Sequence, residues 1–270
     1  MIATVLGLLI RAALSATIPG MAVPLPRVAA SGPPTAIGQA VPAWARGMVV
    51  NHVSVPKTDK VIALTFDDGP NPPYTGKVLR ILKEHNAKAT FFMLGAELAA
   101  SPSLGRQVRD AGHAIGNHSW SHPIRPKDPV GEVSRTDDEL RAVLNIDTTL
   151  FRPPYGNLTN GLAKAAEARN EAIVIWSVDT NDWKRPGAKR IASRVIRGAK
   201  PGRIVLMHDG GGDRSQTVAA LPVILDTLGK KGYRFVTVPE LLQMRSEAAA
   251  TPKRKQKADR AAGSRPPAIR

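Results

Sequence analysis

Short apolar runs alternate with amphipathic stretches along most of the chain, and this alternation constrains the fold more than any other feature of the sequence. Seven runs have strand length and are bounded by Gly, Pro or polar residues: Val61–Phe66, Ala89–Leu94, His113–Asn117, Leu150–Arg152, Ala172–Val178, Arg203–His208 and Tyr233–Val238. Helical patterns lie between them, in Thr75–Asn86, Glu132–Asn145, Thr159–Arg169, Ala188–Gly198 and Ser215–Lys231. Such alternation is typical of a parallel α/β architecture, and seven strands favour a barrel over an open sheet.

The two ends of the chain differ from this region, and we divide the sequence into four parts. Residues 1–19 form an apolar, signal-like segment that is too short to span a membrane and is interrupted by Arg11; an N-terminal helix of a cytoplasmic protein is the alternative. Residues 20–57, rich in Pro, Gly, Ala and Ser, are expected to be a linker. We expect residues 58–245 to be a single catalytic domain and residues 246–270 to be a basic, disordered tail.

The formal net charge of +16 is unevenly distributed along the chain. Residues 245–270 alone hold eight basic and two acidic side chains. Such a tail is either a passive solvated end or a segment attracted to a polyanion, with nucleic acid, an anionic cell-wall polymer and a membrane surface as candidates. The core shows no aromatic-and-basic motif for specific nucleic-acid binding. We therefore expect export, followed by electrostatic retention on an anionic cell wall.

Polar side chains follow five of the predicted strands, at the edge where parallel α/β folds place their active sites. The first strand ends in Asp67 and Asp68, whose carboxylates repel one another unless a cation or a proton intervenes. The third strand leads into His118 and His122, which are spaced to reach one metal ion. Together they predict a site with two histidines and one carboxylate, which suits Zn²⁺ or a related divalent ion that keeps a bound water.

Three further strand ends add polar groups to this set. Arg152 follows the fourth strand and can hold a carboxylate by bidentate hydrogen bonds. The fifth strand runs into Asp179, Asp182 and Trp183, and the sixth ends at His208, which is a plausible general acid beside these groups. The remaining histidines (His52, His85 and His113) are not accompanied by other candidate catalytic or metal-binding residues and are assigned no chemistry. The absence of cysteine excludes disulfides, thiolate metal sites and a cysteine nucleophile.

In this order, the residues resemble the five motifs of the polysaccharide deacetylases, which are carbohydrate esterase family four and carry the NodB homology domain. The resemblance extends from about Lys60 to Leu242. It implies a deformed (β/α) barrel and a metal-dependent hydrolase that removes N-acetyl groups from GlcNAc-type sugars of peptidoglycan or chitin oligomers. An O-acetyl esterase acting on acetylated xylan is the alternative. A binding module that has lost the chemistry is disfavoured because every motif residue is present.

The resemblance also implies the metal-site roles. Asp68, His118 and His122 would bind one divalent metal ion, with Zn²⁺ the first choice and Co²⁺ another. Asp67 would be the catalytic base, and Arg152 would orient it.

The other motifs concern the substrate and the general acid. The backbone N–H of Tyr155 would help to bind the oxyanion, Trp183 would line the pocket, and Leu206 would shape the acetyl site. His208 would be the general acid, and we favour Asp179 as the carboxylate that tunes it, with Asp182 as the alternative. We expect a secreted or wall-associated monomer that acts on an acetylated polysaccharide and has no membrane-spanning helix.

Overall fold

The computed structural model describes residues 40–246, whose framework is a sheet of nine short parallel strands. The strands are β1 (Val49–Val50), β2 (Val61–Asp67), β3 (Thr90–Met93), β4 (Ala114–Asn117), β5 (Leu150–Phe151), β6 (Ala172–Val174), β7 (Val178–Asp179), β8 (Arg203–His208) and β9 (Arg234–Phe235). All seven predicted runs therefore contain a strand, although most of the strands are shorter than the runs.

Eight α-helices accompany the strands in the described part of the chain: α1 (Thr75–Glu84), α2 (Gly95–Ala100), α3 (Pro102–Asp110), α4 (Pro129–Leu144), α5 (Leu162–Glu167), α6 (Ala188–Gly198), α7 (Ser215–Lys230) and α8 (Val238–Gln243). Short 3₁₀ helices occupy Ala43–Ala45, Pro154–Gly156 and Asp182–Lys184. The five predicted helices are α1, α4, α5, α6 and α7. No helix among the described residues has the length and apolar character needed to cross a membrane.

One segment brings the two ends of the sheet together. The hydrogen-bonded strand order is β1-β6-β5-β4-β3-β2-β8-β7, with β9 paired to β2. Only residues 175–177 separate β6 from β7, yet β6 is second in that order and β7 is last. The N–H of Ile175 bonds to Val50, and the N–H of Ser177 bonds to Ile204 of β8. The run predicted as one strand, Ala172–Val178, is thus two strands with different partners, and the predicted deformed (β/α) barrel is confirmed.

The alternation of side chains along β2 decides which groups reach the barrel interior. Ile62, Leu64 and Phe66 pack into the cluster that contains residues of α1, α4, α6 and α7. Val61 and Ala63 belong to a second cluster, formed by residues from six strands and from α8. Because successive side chains of a strand point to opposite faces, Thr65 and Asp67 continue the interior column. The chain therefore places a carboxylate at the top of the barrel core.

The predicted linker, 20–57, is wrong from residue 40 onward. Val41, Ala45, Val50 and Val53 are buried in the interior cluster. A two-residue strand and a single 3₁₀ turn are too short to produce a detectable periodicity, so the sequence pattern resembled a linker. The catalytic domain therefore includes residues 40–57 as well as residues 58–245. The signal-like segment 1–19 and the tail beyond Ser246 lie outside the described residues.

The last predicted strand, Tyr233–Val238, also ends earlier than expected. The strand comprises only Arg234–Phe235, because Thr237 caps α8 in a reciprocal capping box with Glu240. The sequence reading also missed α2 and α3, which are short helices in which few residues repeat at helical spacing.

Two neighbouring valines test this domain boundary. Val50→Ala should lower the free energy of unfolding by roughly 1–3 kcal/mol, because Val50 is 5% exposed and its methyl groups fill the interior cluster. Val49→Ala is the matched control: Val49 is 52% exposed, and a change below about 0.5 kcal/mol is expected. Chemical denaturation of both variants gives the comparison. Equal, negligible effects would restore the linker interpretation of residues 40–57.

Candidate active site

Strand register brings the polar strand ends to one edge of the barrel. Asp67 at the end of β2 pairs directly with His208 at the end of β8. On the other side, β4 and β5 are in register at their last residues, so His118 and Arg152 follow paired positions. The Arg152 N–H bonds to the β4 carbonyl of Asn117 at 2.9 Å, which ties the two strand ends together. Residues separated widely in sequence therefore converge because their strands are parallel and end at the same level.

Asp68, His118 and His122 offer a metal site in which the ligand atoms lie within 4.8 Å of one another. Oδ1 of Asp68 is 3.5 Å from Nε2 of each histidine. This buried oxygen has no hydrogen-bond partner among the described residues, which is costly unless a cation is bound there. Nδ1 of His118 is 2.7 Å from the carbonyl oxygen of Arg152, so its Nε2 is directed at the site. The three residues fit a divalent ion such as Zn²⁺.

The turn 118–122 that carries both histidines is held by side chains rather than by a helix. Two of its residues have positive φ, so its backbone N–H groups have no regular helical acceptors. Oε2 of Glu132 accepts the N–H groups of Trp120 and Ser121 at 2.9 and 2.8 Å, and Oε1 accepts the Ser121 hydroxyl at 2.7 Å. Oδ1 of Asn117 accepts the N–H that follows the first histidine. Glu132 was not singled out by sequence reasoning, because no motif marks it.

A buried ion pair fixes the neighbouring carboxylate. Nη1 of Arg152, which is fully buried, donates to Oδ1 of Asp67 and to Oγ1 of Thr65, both at 2.7 Å. Nε donates to the carbonyl oxygen of Val174 at 3.0 Å, and the guanidinium lies 4.1 Å from the ring centroid of Phe92. Burial lowers the pKa of Arg152, although the Asp67 carboxylate opposes this shift. The contact that the resemblance implied between these two residues is present, although through one guanidinium nitrogen only.

The carboxylate that contacts His208 is Asp182, which corrects our preference for Asp179. Nδ1 of His208 is 2.7 Å from Oδ1 of Asp182, whose Oδ2 accepts from the His208 N–H and from the Thr217 hydroxyl. Asp179 instead accepts the N–H of Asn181, forming the turn that carries Asp182 back over β8. Burial alone would lower the pKa of His208, but the hydrogen bond and charge of Asp182 raise it to about 9.

A cavity of about 610 Å³ opens over these groups. The predicted substrate residues Tyr155, Trp183 and Leu206 all line it, as does Asp179. The Tyr155 ring packs against His122 with centroids 4.5 Å apart, and its backbone has φ 59°. Sequence reasoning missed the contribution of Trp176 to the wall, because it lies within the predicted fifth strand and resembles a core residue.

Comparisons with known proteins agree with this geometry. Residues 54–171 match the family model described as polysaccharide deacetylase. A peptidoglycan-N-acetylglucosamine deacetylase of Bacillus cereus is 45% identical over 202 residues, covering 70% of this chain and 91% of that protein. A chitooligosaccharide deacetylase of Bradyrhizobium is 38% identical, with 67% and 90% covered. The crystal structure of the Bc1960 peptidoglycan N-acetylglucosamine deacetylase superposes with a TM-score of 0.68 at 36% identity, covering 74% of this chain and 96% of that one.

The pairing of His208 is testable by NMR titration of the metal-free protein. Asp182→Asn removes the hydrogen-bonded charge that contributes most to raising the pKa while leaving the ring buried, so the His208 pKa should fall well below about 9. Asp179→Asn should leave it near 9, because that carboxylate bonds to Asn181 instead. The reverse outcome, with the larger shift in Asp179→Asn, would restore the original preference.

The support of the ligand turn predicts a second effect. Glu132→Ala removes all three hydrogen bonds to Trp120 and Ser121 and should weaken Zn²⁺ binding by roughly 10- to 100-fold, as loss of a partner behind metal ligands does elsewhere. Glu139→Ala, seven residues along α4, is the control and should bind Zn²⁺ as the wild type does. Competition with a chromogenic chelator measures both dissociation constants. Identical Zn²⁺ affinities of the two variants would show that Glu132 does not support the metal site.

Proposed function

The chain belongs to the polysaccharide deacetylase family, and on that basis we propose that it hydrolyses the N-acetyl groups of GlcNAc-type sugars in peptidoglycan or chitin oligomers. One observation carries the proposal: a single cavity presents a three-residue metal site, a buried carboxylate and a histidine paired with a second carboxylate. These three kinds of group together can meet the needs of amide hydrolysis, in which water must be activated, the oxyanion stabilised and the amine protonated.

We assign the metal site to one divalent ion, with Zn²⁺ the first choice and Co²⁺ the second. Asp68, His118 and His122 would hold it, since these are the groups whose ligand atoms converge. When bound, such an ion supplies Lewis acidity toward a water and toward the acetyl carbonyl oxygen.

Asp67 is the base in this proposal. Its Oδ1 is occupied by Arg152 at 2.7 Å, while Oδ2 lies on the side of the metal site, 3.7 Å from Nε2 of His118. One oxygen is therefore held in position, and the other is directed toward the attacking water.

His208 is the acid in this proposal. An amide nitrogen leaves only after protonation, so the opposite side of the cavity must supply a proton. A His208 with a pKa of about 9 in the metal-free protein carries that proton at neutral pH, and Nδ1 is bonded to Asp182, which leaves Nε2 to act as the donor. The Tyr155 N–H would help to bind the oxyanion, and Leu206 and Trp183 would contact the acetyl methyl and the sugar ring.

The relatives favour an amide substrate over an ester. The two curated relatives described above are named for N-acetylglucosamine in peptidoglycan and for chitooligosaccharides. The esterase alternative on acetylated xylan has no comparable support.

Location is also part of the proposal. The signal-like residues 1–19 support export, and the basic residues of the tail support retention on an anionic wall polymer. Four of those residues lie within five positions of one another: Lys253, Arg254, Lys255 and Lys257.

Loss of the base tests the reaction. Asp67→Asn should reduce turnover on N-acetylated oligomers by a factor on the order of 10² or more while the fold and the bound metal are retained, because the water then lacks its proton acceptor. Mass spectrometry of peptidoglycan, chitin-oligomer and acetyl-xylan digests follows loss of each acetyl group. Turnover near that of the wild type in Asp67→Asn would refute the assigned role. Release of acetate from xylan alone would refute the amide substrate.

Deletion of residues 246–270 tests retention. Turnover on small soluble oligomers should persist, whereas sedimentation with isolated cell walls should decrease at low salt and converge with that of the full chain at high salt, because exposed charges are screened over about 10 Å at 0.1 M salt. Replacement of Lys253, Arg254, Lys255 and Lys257 by Gln should reproduce the deletion if charge is responsible. Equal sedimentation of all forms would show that the tail is passive and does not retain the protein on the wall.

A further inference from the structure

One surface of the described structure is strongly basic and is not neutralised. From Trp183 to His208 the chain holds eight basic residues and no acidic one. Six of them belong to α6 or to the segment that leads into it, and one of these, Arg185, pairs with Asp213. The other five face the surface in whole or in part: Lys184, Lys189, Arg190, Arg194 and Arg197. We call these five residues the basic strip.

Several other surface arginines of the structure have acidic partners. Arg80 pairs with Glu84, Arg141 pairs with Asp138 and Asp147, and Arg185 pairs with Asp213. Among the described residues, no ion pair involves Lys189, Arg190 or Arg197 of the basic strip. Like charges three or four residues apart destabilise a helix, and α6 contains such pairs without compensating acids. An unneutralised row of this kind suits an anionic ligand.

The basic strip is also shaped and placed to bind a long ligand. Lys189, Arg190, Arg194 and Arg197 line a groove of about 460 Å³ together with Ser193. Trp183 lines the catalytic cavity, and α6 begins five residues later. The basic strip begins at the cavity wall, since Nζ of Lys184 lies 4.7 Å from the ring centroid of Trp183, and α6 extends it for about 16 Å. A polymer whose reacting sugar occupies the cavity can therefore place its next units on the basic strip.

We propose that the basic strip binds carboxylate groups of the same glycan whose N-acetyl group is hydrolysed, so that the preferred substrate is an anionic glycan rather than a neutral one. This inference rests on the proposed deacetylase function. Anionic groups that flank the reacting sugar would lower KM through the strip. The chemistry in the cavity would be unchanged, because no member of the strip contacts the metal-site residues or His208 in the described structure.

The test uses the full chain with Lys189, Arg190 and Arg197 changed together to Gln. Arg194 is retained because its guanidinium bonds to the carbonyl oxygen of Thr180 at 2.7 Å. The matched control changes Lys83, Lys230 and Lys231 to Gln, which removes the same charge from exposed positions at the ends of α1 and α7. Three substrates are compared: peptidoglycan fragments with free carboxylates, the same fragments after amidation of those carboxylates, and neutral chitin oligomers.

On the carboxylated fragments, KM should rise roughly tenfold in the strip variant and not in the control, and the difference should disappear in high salt. Amidated fragments and chitin oligomers should show no such difference between the two variants. Equal KM values on carboxylated fragments would overturn the proposal, as would an equal rise in both variants. If added inorganic polyphosphate binds the strip while KM stays unchanged, the ligand is a separate phosphate polymer and the substrate assignment is wrong. Failure of every form to deacetylate any substrate would refute the proposed function instead.

Discussion

The buried contact between Arg152 and Asp67 is the interaction on which the rest of the site depends. A guanidinium inside a barrel is costly to desolvate unless its donors are satisfied. Here Nη1 bonds to Asp67 and Thr65, Nε bonds to a carbonyl of β6, and the plane lies over Phe92, whereas Nη2 has no hydrogen-bond partner among the described residues. Because these partners come from β2, β3 and β6, one side chain joins strands that surround the core. Removal of either charge would leave the other one buried and unpaired.

The same residue links the base to the metal site. The carbonyl oxygen of Arg152 bonds to Nδ1 of His118 and so directs Nε2 of that ring. The side chain of Arg152 bonds to Oδ1 of Asp67, so that Oδ2 of Asp67 is directed toward the metal-site residues. On the opposite wall, Asp182 orients His208 through both backbone and ring contacts. Three groups of the site, Asp67, His118 and His208, are therefore each held by a hydrogen-bonding partner. These partners, Arg152 and Asp182, do not themselves need to touch the substrate.

The sequence predicted the features that depend on parallel strands ending at one edge. Asp67, His118, Arg152 and His208 follow separate strands, and the architecture alone brings them together. The features that the sequence could not predict depend on local turns. Asp182, rather than Asp179, reaches His208 because Asn181 adopts a left-handed conformation and turns the chain back, and spacing along the sequence does not reveal such a reversal.

Long-range packing explains the remaining differences. Val50 and Val53 belong to the barrel core because they fill space between β6 and β8, but a two-residue strand carries no periodic signal. Glu132 supports the ligand turn from a neighbouring helix and has no motif of its own.

We expect Asp68, His118 and His122 to bind one metal ion beside Asp67. A crystal grown with Zn²⁺ and measured at the zinc absorption edge tests it directly. We expect one anomalous peak in contact with Oδ1 of Asp68 and Nε2 of both histidines. A peak elsewhere, or no peak at saturating Zn²⁺, would contradict it.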